Sequence, residues 1–261
     1  MKLKDKITII TGGAKGIGFG CASVFARRGS HIVIADRDDE GGRDAVRQIA
    51  SSGGQATFRR CDVTDESDME SLVENTVTEQ GRLDCIVNNA GWHPPSVTIG
   101  QTSVADFEAQ LRMNLTSTFM GCKFAIPHLR RTGGTIVIIA SEVAVIGQAD
   151  ACAYVASKAG QVGLTRALAL DLITDGVRVN AVCPSNVRTP LMTEWASSLP
   201  DPQDALRQVA ATQPDGIIAT IEQIGEICAF LASDESSYIT GQTIIADRGA
   251  MLGYGIKAKS S

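Results

Sequence analysis

The sequence lacks the marks of several function classes. No uninterrupted apolar run reaches the ~18 residues that a membrane-crossing helix needs. Excess positive charge is missing as well: 24 Lys and Arg face 29 Asp and Glu, for a net charge of -5. The basic residues are scattered among acidic ones, whereas nucleic acid demands a clustered basic surface. Histidine is scarce. His31, His93 and His128 stand at no ligand spacing from Cys, Asp or Glu, so no metal site is expected. The seven cysteines are an odd set without a C-x-x-C pair, and several, such as Cys85 in LDCIVNN and Cys183 in VNAVCP, sit inside apolar runs. They read as reduced thiols packed in a core, which points to the cytoplasm. The first apolar run stops at a glycine turn with no small-residue cleavage site, so no signal peptide is expected.

What is present is a regular rhythm. Of the 261 residues, 44% are hydrophobic and 20% charged, enough for one sizeable core. Short apolar runs, most of them rich in Ile and Val, recur at 6–11, 31–36, 56–62, 84–89, 134–140, 177–183 and 242–247. Helix-length stretches with apolar residues three and four apart lie between them, as in Met69, Leu72, Val73, Thr76 and Val77. Runs that are apolar on both faces, joined by helices, predict an α/β fold: a single-domain Rossmann-type, doubly wound parallel sheet of seven strands with helices on both faces. No low-complexity linker divides the chain, so residues 1–261 form one domain. The least regular stretch, about 185–220, holds four of the eight prolines. In such a sheet ligands sit at the carboxyl ends of the strands, and this stretch is expected to be a loop serving as a lid.

The first strand runs into Thr11-Gly12-Gly13-Ala14-Lys15-Gly16-Ile17-Gly18. Glycines there let the backbone turn sharply and approach a pyrophosphate, while the helix behind offers free N–H groups and its positive dipole end. The spacing G-x-x-x-G-x-G differs from the common G-x-G-x-x-G. Asp36 ends the second strand, where a carboxylate bonds both ribose hydroxyls of an adenosine and repels a 2′-phosphate; NAD is therefore the expected cofactor. Lys15 and Arg37 lie near enough to soften that preference.

The segment Ser141–Lys158 reads SEVAVIGQADACAYVASK. Tyr154 and Lys158 are four apart on a predicted helix, hence on one face. A tyrosine with its ordinary pKa near 10 is a poor base, and an adjacent ammonium is expected to lower it. Ser141, after the fifth strand, is placed to hydrogen-bond a substrate oxygen.

TGGAKGIG, Asp36, Asp62-Val63, Asn88-Asn89-Ala90-Gly91, Asn114, Ser141, Tyr154, Lys158 and Pro184 together resemble the short-chain dehydrogenases/reductases over about 250 residues. The resemblance implies an oxidoreductase in which Asp62 and Val63 contact adenine and Asn89, Ala90 and Gly91 support the cofactor. It makes Tyr154 the acid/base, with Lys158 lowering its pKa and bonding the nicotinamide ribose. Ser141 orients the substrate oxygen, Asn114 anchors a water leading from Lys158 to solvent, and Val187 and Thr189 meet the carboxamide. Two departures stand out: Ser185 where the family usually has glycine, and Asp247-Arg248-Gly249 where it commonly reads DGG.

Within the family, GRLDCIVNNAGWHPP, VAVIGQADACAYVASK, TPLMTEWASSLPDP and LGYGIKA resemble the group of type 14 17β-hydroxysteroid dehydrogenases and L-fucose dehydrogenases. That likeness implies His93, Gln148 and, on the lid, Trp195 as substrate residues, a tetramer, and Tyr254 reaching a neighbouring subunit's site. With Glu142 and Arg188, these side chains make a pocket more polar than a steroid slot needs. The favoured activity is NAD-dependent oxidation of an aldose at its anomeric hydroxyl. Arg188 and Arg248 admit an acidic or sulfonated sugar, although each also fits a plain solvent-facing role. A 17β-hydroxysteroid dehydrogenase and a catalytically inactive dinucleotide-binding regulator are the alternatives. The helices spanning 105–131 and 154–174 carry apolar residues on more than one face, in keeping with a homotetramer interface.

Overall fold

The computed structural model describes residues 2–253. The chain opens on β1 (Ile7–Thr11), crosses by α1 (Gly16–Arg27) to β2 (His31–Asp36), then by α2 (Asp39–Ser51) to β3 (Gln55–Arg60). It returns through α3 (Glu66–Gln80) to β4 (Cys85–Asn88), on the other side of β1. Helices α4 (Val104–Leu111) and α5 (Ser117–Thr132), joined by a π-helical turn at Arg112–Thr116, lead to β5 (Thr135–Ile139). The single-turn α6 (Val143–Ile146) and the long α7 (Cys152–Leu172) precede β6 (Arg178–Pro184). Finally α8 (Pro190–Ser197), α9 (Pro202–Ala211) and α10 (Ile221–Ala232) lead to β7 (Thr243–Ala246). All neighbouring strands are parallel, in the order β3-β2-β1-β4-β5-β6-β7. The seven expected apolar runs are these strands, within a residue or two at each end.

The order reverses between β1 and β4, and a cleft opens at the carboxyl ends of those strands, as the topology requires. Ile9 marks the register there, opposite Val33 on one side and Ile86 on the other. One face of the sheet packs Phe25, Ile32, Ile34 and Ile224 under α1 and α10; the other packs Met69, Leu72, Leu129 and Ile136 under α3 and α5. Phe25 is fully buried, and truncating it to alanine would cost about 3–5 kcal/mol. Helices α1 and α10 touch backbone to backbone: a Cβ at Gly20 would lie 2.4 Å from the Ile221 carbonyl oxygen.

The stretch expected to be an irregular lid loop contains two helices instead. Two of the four prolines that suggested irregularity mark helix starts. Pro190 and Pro202 occupy first helical positions, where a missing N–H costs nothing, behind the capping side chains of Thr189 and Asp201.

Candidate active site

The glycine turn and the loop after β4 are zipped together. Thr11 Oγ1 accepts the N–H groups of Asn89 (3.0 Å) and Ala90 (3.1 Å). The Asn89 side-chain amide donates to the carbonyls of Thr11 (2.9 Å) and Gly12 (3.1 Å). Gly12 and Gly16 have φ of 62° and 59°, the left-handed region that glycine enters without strain. A Cβ on Gly16 would meet only the Thr189 side chain, 3.6 Å away, so this turn faces the start of α8 across open space. Gly18 packs instead: its Cβ would fall 2.1 Å from the Gly12 carbonyl oxygen. Ile17 is half-buried and leans on the core. The α1 N-terminus has no side-chain cap, and Lys15 there is exposed, so its first N–H groups are left for a ligand.

Asp36 ends β2 at the rim of the glycine turn. Its carboxylate accepts the N–H of Ala14 (3.1 Å) and of Asp38 (3.1 Å), with Arg37 exposed beside it. The Asp62 carboxylate accepts both the hydroxyl (2.7 Å) and the N–H (2.9 Å) of Thr64, and these bonds hold it below the usual carboxylate range. Val63 is buried alongside. Uncapped helix, glycine turn and strand-end carboxylate fit a nicotinamide dinucleotide.

Helix α7 carries Tyr154 and Lys158 on one face, the Lys158 ammonium 5.8 Å from the phenol ring centre. Lys158 is wholly enclosed and donates to the Ile139 carbonyl at 2.9 Å. Burial pushes its pKa down to about 8. Tyr154 moves against the sequence-based expectation. Burial raises its phenol above the ordinary value, and the Ser141 hydroxyl pulls it part of the way back. Desolvation outweighs charge here because Lys158, with its ammonium turned to Ile139, offers the phenol no direct bond.

Asn114 sits in the π-helical turn, a widening that occurs mostly at functional positions. Its amide donates to the Trp92 carbonyl (3.1 Å) and accepts the Trp92 N–H (2.8 Å), clamping the loop after β4. It also donates to the Ser157 hydroxyl at 3.0 Å. A Cβ on Gly91 would come 3.0 Å from the Asn114 oxygen and 3.6 Å from the Lys158 ammonium, a tight corner in which Asn114 would have to give way.

The family described as enoyl-(acyl carrier protein) reductase matches residues 12–251. A solved structure of a Burkholderia xenovorans protein assigned to the short-chain dehydrogenases/reductases superposes with a TM-score of 0.92 at 32% identity, covering 97% of this chain and 99% of that one. The chain belongs to the short-chain dehydrogenase/reductase family. It is an oxidoreductase acting on CH–OH groups, with a nicotinamide dinucleotide cofactor and a small-molecule substrate. It is 43% identical over 250 residues to the L-fucose dehydrogenase of Oryctolagus cuniculus, covering 96% of this chain and 86% of that one. To the L-fucose dehydrogenase of Bos taurus it is 43% identical over 253 residues, covering 97% and 92%. Among the described residues no helix is long and apolar enough to cross a membrane.

In this short-chain dehydrogenase, the candidate substrate side chains fall into two groups. His93 lies on Tyr154, and its Nε2 is 3.3 Å from the Gln148 side-chain oxygen. Glu142 follows Ser141 on the floor, where its N–H donates to the buried Pro184 carbonyl at 3.0 Å. Arg188, before α8, and Trp195, on it, are exposed. Arg248 is turned to Asp215 in an ion pair. Thr189 caps α8, and buried Val187 forms a bridge with Ala219. Tyr254 lies outside the described residues.

Both departures from the family pattern have a local account. The Ser185 side chain contacts the buried Gln213 side chain at 3.3 Å, joining the residue after β6 to the turn after α9. Arg248 has φ of 54°, which explains why glycine is usual there. Sequence reasoning missed Ser157 and Gln161, which brace Asn114, and it missed the clamp from Trp92, whose contribution is backbone and carries no residue signature.

Proposed function

We propose that this enzyme oxidises a sugar at its anomeric hydroxyl, aldose to lactone, with NAD as hydride acceptor. The observation that carries the reading is the paired polar wall of His93 and Gln148 directly against the proton-transfer residue Tyr154. A polyol offers hydroxyls to both groups, whereas the apolar edge of a steroid offers a partner to neither. The names of the L-fucose dehydrogenases support the same substrate class.

The cofactor would lie along Gly12, Gly16, Asp36, Asp62 and Val63, reach Lys158 with its second ribose, and meet Pro184, Val187 and Thr189. Bound there, the nicotinamide supplies a hydride acceptor and a positive charge close to the phenol. Ser141 holds the substrate oxygen. Tyr154, as phenolate, takes the hydroxyl proton while the carbon gives up its hydride, leaving a carbon–oxygen double bond. Lys158 holds the phenolate by charge, and Asn114, fixed by Trp92 and Ser157, keeps a path from Lys158 to water.

NAD rather than NADP follows from the Asp36 carboxylate, which repels a 2′-phosphate. With Arg248 committed to Asp215, only Arg188 among the candidate arginines is left to receive an acidic or sulfonated sugar. Helices α8 and α9 act as the lid over about 185–220. A homotetramer is supported by the exposed apolar groove of Leu115, Phe119, Gly160, Gly163, Leu164 and Ala167 across α5 and α7. Seven unpaired cysteines, six of them buried, support a cytoplasmic location.

Following NADH absorbance with L-fucose, other aldoses, an acidic sugar and estradiol tests the proposal. Turnover of one or more sugars is expected, and turnover of estradiol alone would overturn it.

A further inference from the structure

His93 stands on a stretch, residues 93–97, that forms neither helix nor strand. Its near end is fixed, because both the N–H and the carbonyl of Trp92 bond the Asn114 side-chain amide. The far end hangs on one bond. The Val97 N–H donates to the Asp150 carbonyl at 2.8 Å, and among the described residues no other backbone bond joins 93–97 to another segment. Pro94 and Pro95 lie between the two anchors and restrict the backbone there, so a shift of either anchor is passed on to the His93 ring.

Asp150 presents that carbonyl from an uncommon conformation. Its φ is 56°, in the left-handed region that L side chains seldom enter. Glycine adopts it freely, aspartate and asparagine tolerate it, and β-branched residues resist it. The Asp150 side chain is exposed and makes no hydrogen bond or ion pair among the described residues, so its carboxylate does not hold it there. Backbone in such a region persists where the surroundings demand it, and it gathers at functional positions. Two residues earlier, the Gln148 side-chain oxygen is 3.3 Å from His93 Nε2. The loop before α7 therefore meets the His93 stretch twice, by a side chain at Gln148 and by backbone at Asp150, while the His93 ring lies on Tyr154.

We propose that Asp150 is a positioning residue: its left-handed turn aims its carbonyl at the Val97 N–H, and this tether seats the His93 ring against Tyr154 and Gln148. The φ of Asp150, and not its charge, then governs affinity for any substrate that His93 touches. That the substrate is a sugar rests on the proposed function; the tether does not.

The test follows KM and kcat for L-fucose in wild type, Asp150→Gly, Asp150→Asn, Asp150→Val and Val97→Pro, each checked by circular dichroism. Asp150→Val disfavours the turn. Val97→Pro has no N–H to donate, so it removes the bond even where a strained Asp150→Val retains it. Both should raise KM about fivefold or more, with kcat and NADH affinity close to wild type, whereas Asp150→Gly and Asp150→Asn should behave as wild type. In a His93→Ala background Asp150→Val should add nothing to KM. Hydrogen exchange at the Val97 amide reads the tether without substrate: slow in wild type, Asp150→Gly and Asp150→Asn. Wild-type KM in Val97→Pro, Asp150→Gly as impaired as Asp150→Val, an undiminished effect beside His93→Ala, or fast exchange in wild type overturns the proposal. Turnover of estradiol but of no sugar, with Val97 still protected in wild type and the same order of variants, overturns the sugar reading alone.

Discussion

The imidazole of His93 lies against the phenol of Tyr154, with ring centres 4.1 Å apart and planes inclined at 51°. On its far side Nδ1 is 2.5 Å from the Pro94 carbonyl oxygen. A carbonyl only accepts, so Nδ1 donates to it, and Nε2 faces the Gln148 side-chain oxygen, 3.3 Å away.

That arrangement predicts separate effects of ring and nitrogen. His93→Ala loses both and should raise KM for L-fucose about tenfold, which corresponds to roughly 1.4 kcal/mol, with a smaller fall in kcat. His93→Phe keeps a ring over Tyr154 and should show the KM effect with kcat nearer wild type. Steady-state kinetics decide; a loss confined to kcat in both variants would contradict a substrate-binding role for His93.

Tyr154→Phe keeps the packing and removes the proton carrier. The expected loss is roughly 10²–10⁴ in kcat, the range of general acid–base catalysis. Cofactor affinity, read by fluorescence titration, should be nearly unchanged, because α1 and Asp36 are untouched. Wild-type turnover by this variant would rule the phenol out as the proton-transfer group.

Lys158 carries a stability cost with a defined pH window. Its folded pKa is about 8 against an ordinary 10.5, because burial disfavours the ammonium. Below pH 8 both folded and unfolded chains hold the proton, and the penalty is fully present. Between about 8 and 10.5 the unfolded chain holds a proton the folded one has shed, so this contribution to stability rises with pH until the penalty is gone. Lys158→Met removes the penalty but also the bond to Ile139, leaving a net gain of about 1–2 kcal/mol at pH 7. Urea unfolding at a series of pH values should show the variant more stable at neutrality, the gap closing above pH 8. Catalysis should be largely lost. A gap independent of pH would mean that the ammonium is not strained by burial.

Most strands were legible because they are Ile/Val-rich runs between turn residues, although β3, QATFRR, holds neither residue. The spacing of Tyr154 and Lys158 survives folding because both sit on one helix, where sequence distance is spatial distance. Legibility ended where neighbours are distant in sequence. The Val97 N–H and the Asp150 carbonyl meet only once β4 and β5 are in one sheet, and the direction of the Tyr154 shift depends on how much of the fold covers it. The lid misled for another reason. Pro190 and Pro202 read as breakers, yet at the first turn of a helix proline is a starter, and Thr189 and Asp201 before them were the signal.

Asp36 supplies the cofactor prediction. Its two oxygens bond the N–H groups of Ala14 and Asp38, which keeps the carboxylate at the rim of the glycine turn. An adenosine ribose reaching that rim meets an anion, which welcomes hydroxyl donors and opposes a phosphate. Asp36→Ala removes that opposition, with exposed Lys15 and Arg37 near the same rim. Preference for NAD over NADP, as the ratio of kcat/KM values, should fall by about a hundredfold, corresponding to roughly 2.7 kcal/mol. Most of the change should come from a lower KM for NADP, and it should shrink in high salt, since exposed cations are screened. Asp36→Asn, which keeps a hydrogen-bonding side chain without the charge, should move the ratio the same way. If instead Asn preserves the wild-type ratio, hydrogen-bond geometry rather than charge selects the cofactor.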